Sequence, residues 1–260
     1  EESDWSSDVC SSDLAFARQR TVTPRAHDGM VESLRALKIA RSTAIKARRV
    51  ALQMIHALII SAPEELRDQL RNMTRMQLIR TLAAWRPDTT GYRDPVTATK
   101  ISLKSLARRY VELHDEIADL ETLMHALVDE LAPELLARPG IGYESATQLL
   151  ITAGDNPDRL RSEGSFAMLC GTAPLPASSG KTTRHRLNRG GDRAANSALH
   201  MIAVSRWRID PSTKAYVARK RAEGHSNPEI LRLLKRYIAR EIYYLLRNHQ
   251  RALNHTYTAA

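Results

Sequence analysis

The residues best suited to chemistry lie between positions 138 and 193. Ser178 and Ser179 stand before Gly180, and Lys181, Arg184, His185, Arg186 and Arg189 then run into Gly190-Gly191-Asp192-Arg193. A serine hydroxyl attacks phosphorus when its proton is removed and the developing charge is neutralised. Guanidinium groups supply that neutralisation, because their planar fork matches two phosphate oxygens; Arg184, Arg186, Arg189 and Arg193 are the candidates. Taken alone, a Ser-Ser-Gly is far more often a surface loop than a nucleophile. The rival nucleophile, Cys170, sits in an apolar run and reads as core.

A second phosphate-directed feature lies just upstream. Pro139-Gly140-Ile141-Gly142 separates Leu135-Leu136 from Ala146, Leu149, Leu150 and Ile151. Gly140 and Gly142 let the backbone turn tightly between two helices, and the second helix then offers free N–H groups to a phosphate oxygen. This pattern resembles the helix-hairpin-helix of non-specific DNA-binding proteins, which reads the backbone and not the bases. The alternative is a compact turn between packed helices.

The elements around these residues read as helices. Pro24, Asp28 and Gly29 mark an irregular lead-in, with Asp28 placed to cap the first long helix. From Met30 to about Ser61, Val31, Leu34, Leu37, Ile45, Leu52, Ile55 and Ile59 form one apolar stripe on a helix otherwise rich in Arg and Lys. That basic remainder is either a solvated face or a nucleic-acid-facing one. Pro63 opens a helix over 64–73, and Thr74 caps another reaching Trp85; Pro87 to Gly91 is a loop. From Pro95, Leu103, Leu106, Tyr110, Leu113, Ile117, Leu120, Met124, Leu127 and Leu131 keep spacings of three and four over about four heptads, a coiled-coil seam. It pairs either with helix 30–61 as an antiparallel hairpin or with another copy of the chain. His114 and His125 are placed on its solvated flank.

Beyond the serine segment, Asp192 caps a helix to Trp207, with Asn196 and His200 on one face toward the serine loop. Pro211 starts another helix, and Ile230, Leu234, Ile238, Ile242 and Leu245 form the buried stripe of the last. On that helix Arg232, Arg236 and Arg240 recur every four residues, a like-charge ladder that repels itself unless an anion neutralises it. Tyr237, Tyr243 and Tyr244 offer rings for stacking on bases, or for the core. The fold class expected is mainly α: a long helical hairpin or coiled coil, then a helical domain with the hairpin turn.

Composition agrees with a polyanionic partner. Lys and Arg number 39 against 29 Asp and Glu, a net charge of +10, and cations grouped on a surface release counterions from nucleic acid. No apolar run approaches the roughly 20 residues that span a bilayer, so no membrane partner is expected. Two cysteines, Cys10 and Cys170, make neither a disulfide framework nor a zinc site by themselves. Residues 1–14, EESDWSSDVCSSDL, lack Lys and Arg, and composition changes abruptly at Ala15. The run resembles a translated sequencing-adapter read and is set aside as a non-native leader, the alternative being a natural acidic tail.

The stretch from Ala167 to His200, with LCGTAPLPASSGKTTRHRLNRGGDR at its centre, resembles the C-terminal transposase domain of a bacterial insertion-sequence family related to Piv-type DNA invertases. The likeness extends from about residue 28 to 250. Members pair a RuvC-like N-terminal half, carrying four acidic metal ligands, with a C-terminal domain carrying a catalytic serine, and they are recombinases guided by a bridge RNA. The resemblance therefore implies Ser179 as nucleophile, with Ser178 the second choice, and a transient phosphoserine link to DNA. It also implies DNA and a guide RNA as partners, a homo-oligomer formed through the coiled coil, and a bacterial cytoplasmic setting. The division expected is 15–29 as linker or remnant of the RuvC-like half, 30–137 as coiled coil, 138–250 as transposase domain and 251–260 as tail. The four ligands have no counterpart here, Asp13 lying inside the leader. The chain is thus expected to be truncated, without a metal site or cofactor of its own; Mg²⁺ belongs to the full-length family. Two other readings remain, a non-catalytic helical module for nucleic-acid binding and dimerisation, and a helix-hairpin-helix glycosylase. The second lacks the Asp or Lys expected shortly downstream of the hairpin.

Overall fold

The computed structural model describes residues 29–155, 160–176, 185–186 and 188–258. Asp28, the leader and Ser178 to Arg184 fall outside them, as do residues 259–260. The described chain is mainly α, in ten helices: α1 (Met30–Ile60), α2 (Glu64–Leu70), α3 (Arg75–Ala84), α4 (Pro95–Leu131), α5 (Pro133–Leu136), α6 (Tyr143–Ala153), α7 (Glu163–Leu169), α8 (Arg193–Ile209), α9 (Pro211–Ala222) and α10 (Asn227–Thr258). Two short strands, β1 (Leu175–Pro176) and β2 (His185–Arg186), pair antiparallel. The chain divides into two compact units, residues 33–127 and residues 128–258 with the lead-in to α1.

In the first unit α1 and α4 lie antiparallel, the hairpin alternative. Arg41 meets Glu121 at 2.6 Å and Arg48 meets Nδ1 of His114 at 2.8 Å, so contacts step seven residues up one helix and seven down the other. One buried row of α4 is the expected Leu103, Tyr110, Ile117, Met124 and Leu131. The second row is mixed: Ala107 is buried and Glu121 half-buried, but His114 is exposed, as expected of a flank, while the expected Leu106, Leu113, Leu120 and Leu127 are half-buried. The seam thus has one closely packed row and a second, looser one shared between the leucines and the small or polar residues beside them. On α1 the matching row is Leu34, Arg41, Arg48 and Ile55, apolar and buried at both ends and cationic in the middle. Polar pairs inside an otherwise apolar seam favour one register over its slipped alternatives. α2 and α3 close one end, packing Leu66, Leu70, Leu78, Ile79 and Leu82 with Ile55, Leu103, Ala107 and Tyr110. α3 starts as expected at Thr74, whose N–H donates to Oε1 of Gln77 at 3.0 Å in a capping box.

In the second unit α8 packs on α6, α9 and α10, and α7 packs on α10. The core holds Leu149, Phe166, Leu199, Ile202, Ile230 and Ile242, all fully buried. The stripe of α10 ends on buried Leu246 where Leu245 was expected, and Tyr243 joins the core, its hydroxyl donating to the Leu160 carbonyl at 3.3 Å. Asp155 accepts from the Val31 N–H at 3.1 Å, satisfying an amide at the start of α1. Among the described residues no helix is long and apolar enough to cross a membrane.

The polar seam makes a direct prediction. The Arg41 side chain is only 16% exposed, so Glu121→Ala, which removes the carboxylate beside it, should destabilise the chain by about 1–3 kcal/mol. The double replacement Arg41→Leu with Glu121→Leu should recover most of that loss in urea denaturation. A double variant as unstable as the single one would contradict the assigned pairing.

Candidate functional site

The segment that carries the serines is held at both roots. On its N-terminal side α7 is capped by Ser162, whose Oγ accepts from the Ser165 N–H at 3.1 Å, and ends in the turn Cys170-Gly171. Gly171 is left-handed (φ 64°), a conformation that favours glycine. β1 comes next and pairs with β2, Leu175 opposite Arg186 and Pro176 opposite His185. The two strands thus set residues 176 and 185, which flank the serine segment in sequence, side by side.

On the C-terminal side the chain is fastened down residue by residue. Nδ2 of Asn188 donates to the Met168 carbonyl at 3.2 Å, while its Oδ1 accepts from the Gly190 N–H at 2.9 Å. Gly191 presses on Gly171 so closely that a Cβ there would lie 2.3 Å from the Gly171 nitrogen and 2.5 Å from its Cα. The Asp192 N–H donates to the Leu169 carbonyl at 2.7 Å. The Asp192 carboxylate caps α8, as expected, by accepting from the N–H groups of Ala194 and Ala195, and it also accepts the Thr152 hydroxyl at 2.7 Å. One residue therefore ties α6, α7 and α8 together.

Asn196 serves the same joint and does not face outward. Its amide donates to the carbonyls of Cys170 (2.9 Å) and Gly171 (3.0 Å), and its Oδ1 accepts from Lys235 at 3.0 Å. Lys235 is half-buried, and that burial, with a smaller push from Arg232, holds its pKa below the usual lysine range. His200 is exposed. Cys170 is fully buried, and burial, with Asp192 behind it, pushes its thiol up to about 12, so it is core and not a nucleophile.

The cations fall into two groups. Arg186, Arg189 and Arg193 are exposed around the anchored loop, and Arg232 and Arg240 are exposed on α10. Arg236 is not available in the same way. Glu163 on α7 takes it in a two-pronged pair at 2.6 and 2.8 Å, and the hydrogen bonds from Arg236 hold the Glu163 carboxyl below its usual range. The anion that the arginine ladder calls for is thus partly supplied by the chain itself. Ser178, Ser179, Lys181 and Arg184 lie outside the described residues.

The hairpin turn divides its two glycines. Gly140 is left-handed (φ 75°) and faces α8, where an added Cβ would meet Cγ of Arg206 at 3.1 Å and the Ile202 carbonyl at 3.2 Å. Nε of Arg206 donates to the Pro139 carbonyl at 2.8 Å, and its outer nitrogens hold Glu241 at 2.6 and 3.3 Å. Gly140 is therefore a packing glycine. Gly142 is exposed at the start of α6, has an ordinary φ of −105°, and faces open space. Glu144 in the first turn and Asp129, which accepts the Tyr143 hydroxyl at 2.9 Å, put acidic groups beside that opening. Among the described residues no group of three or more His, Cys, Asp or Glu is placed to hold a metal.

Comparison with known proteins falls on this same unit. Residues 132–218 match the family described as Transposase IS116/IS110/IS902. The match opens just before α5 and runs through the serine segment and α8 into α9, so it contains both anchored roots. Two curated relatives extend it. The chain is 31% identical over 158 residues to the insertion element IS110 uncharacterized 43.6 kDa protein of Streptomyces coelicolor, covering 59% of this chain and 39% of that protein. It is 28% identical over 151 residues to the insertion element IS900 uncharacterized 42 kDa protein of Mycobacterium paratuberculosis, covering 55% of this chain and 37% of that protein. The aligned region thus spans less than two-fifths of either relative.

Sequence reasoning missed Asn188, Thr152 and the Arg206–Glu241 pair. Asn188, ahead of a Gly-Gly, was the one legible signal, since Asn side chains commonly bond the backbone two residues on. Two measurements check the joint. Gly191→Ala should lower stability by about 1–3 kcal/mol or more, whereas Gly190→Ala, whose Cβ meets nothing closer than 3.5 Å, should be tolerated. Cys170 should resist thiol reagents in the native protein and label only as it unfolds; rapid native labelling would contradict its burial.

Proposed function

We propose that this chain is the transposase part of an insertion-sequence recombinase that cuts and rejoins DNA through a serine nucleophile, Ser179, with Ser178 as the alternative. The observation that carries the proposal is the family match over residues 132–218, which encloses the serine segment and the arginines around it. In the reaction proposed, the serine Oγ attacks a DNA phosphorus, a Ser–O–P bond forms, and the strand's P–O bond breaks. The departing hydroxyl takes up a proton. Attack by a hydroxyl of a second strand reverses the step and frees the serine, so no external energy source is needed.

Arg186, Arg189 and Arg193 are proposed to receive the phosphate charge, with Lys181 and Arg184 alongside. Gly142 and the start of α6, together with Arg232 and Arg240, are proposed as backbone contacts. In this reading DNA is the substrate, a guide RNA the second nucleic-acid partner, a homo-oligomer built through the α1–α4 hairpin the active form, and the bacterial cytoplasm the setting. The Mg²⁺ expected of the full-length family falls to residues other than those described here. A non-catalytic binding module would share the contacts and lack the covalent step.

Duplex binding by the chain should weaken steeply with salt, because each neutralised phosphate releases counterions. Arg186→Ala with Arg189→Ala should reduce the slope of log affinity against log salt by about two. Arg236→Ala, which removes an internally paired cation, should leave the slope nearly unchanged while lowering stability. Equal slopes for the wild type and the Arg186/Arg189 double variant would remove the loop from the interface.

A further inference from the structure

A cavity of about 390 Å³ opens between the end of α8, α9 and the middle of α10. Its walls combine the rings of Tyr216 and Tyr237, the aliphatic side chains of Leu234 and Ile238, and the polar groups of Ser212 and Glu241. We propose that it takes one unpaired nucleobase of a single-stranded stretch, stacked on Tyr237. The inference rests on the nucleic-acid reading above and adds a single-strand subsite to it.

Three observations carry it. Tyr237 is 56% exposed, although Leu234, one turn before it, and Ile238, next to it, are buried. It is held there by Tyr216, the two rings meeting nearly edge to face at 5.8 Å and 81°. A ring fixed in orientation yet open to solvent is a stacking platform, and stacking accepts any base because every base has a π-face. The Tyr216 hydroxyl is buried beside the Tyr237 hydroxyl and makes no well-formed hydrogen bond. A buried hydroxyl so weakly satisfied gains from a new partner, and the polar edge of a base entering the cavity offers both donors and acceptors.

The third observation is electrostatic. Arg219 sits over the Tyr216 ring at 5.4 Å with its side chain 68% exposed and only a long 3.9 Å contact to Glu223, which Lys220 also neutralises, placing a cation at the rim where the nucleotide's phosphate would lie. The one carboxylate in the lining, Glu241, is already matched by Arg206 and by Arg138 at 3.6 Å, so it does not repel that phosphate. The volume lies at the lower end of the roughly 300–1,000 Å³ of small-ligand sites, room for one base and not for a duplex. A paired base, stacked on both faces, has no face to offer. Of the three tyrosines of α10 that offered rings for stacking, Tyr243 is buried in the core and Tyr244 lies outside the cavity's lining.

The test compares binding of the full chain to a blunt DNA duplex, the same duplex with a flap of about three unpaired nucleotides, and the same flap made abasic. The flap with bases should tighten binding about tenfold over the blunt duplex, and the abasic flap should not. Tyr237→Ala should abolish that gain while leaving blunt-duplex affinity within about twofold, and Tyr237→Phe should retain most of it. Ultraviolet cross-linking of a 5-iodouracil flap to the wild-type chain, which needs no variant, should label Tyr237 or Tyr216. Equal affinity for both flaps, a gain that survives Tyr237→Ala, or cross-links only elsewhere would overturn the subsite while leaving duplex binding intact. Failure of the wild-type chain to bind any of the three DNAs would overturn the nucleic-acid reading, and the subsite with it.

Discussion

The transposase-like unit depends on one close contact between two stretches of backbone. Gly191 lies against Gly171 with no space for a side chain on the former, and Asp192 comes directly after it to bond the Leu169 carbonyl, cap α8 and hold Thr152 of α6. Without that contact α8 would lose its N-terminal anchor. The basic loop would also lose its fixed end, and Asn196 would lose the two carbonyls it holds. A site that acts on phosphate needs its cations in place before the substrate arrives, since reorganising them during reaction adds to the barrier. Packing glycine against glycine brings two main chains close enough for the Asp192 N–H to reach the Leu169 carbonyl and for the Asn188 and Asn196 amides to fasten the turn.

The surplus of positive charge is distributed unevenly. Arg41, Arg206 and Arg236 are taken up internally by Glu121, Glu241 and Glu163, where they set the register of the α1–α4 hairpin, fasten the Pro139-Gly140 turn and dock α7 on α10. Arg186, Arg189, Arg193, Arg232 and Arg240 remain exposed. Both groups count toward the net charge of +10, but only the second can contribute to long-range attraction of a polyanion.

Helices were the legible part of the sequence, because caps and periodicity act locally. Thr74, Asp192 and Pro211 each start a helix where their chemistry requires it. The first row of the hairpin seam was legible and the second only in part. Leu106, Leu113, Leu120 and Leu127 are half-buried, and the Arg41–Glu121 pair beside them depends on the partner helix, which local spacing does not show. Tertiary pairings beyond the hairpin alternative were not legible. Nothing local distinguishes Arg236, bound to Glu163 73 residues away, from Arg232 or Arg240. Gly140 and Gly142 also looked alike, yet one packs against α8 and the other faces open space.

The central claim is covalent: the proposed serine holds a broken strand. The most direct measurement joins this chain to a RuvC-like N-terminal half and incubates it with Mg²⁺ and a DNA substrate that cannot be resealed. Tandem mass spectrometry then maps the attached nucleotide. The account predicts a phosphodiester on Ser179 that disappears in Ser179→Ala. An adduct on another residue, or one undiminished in that variant, would contradict it.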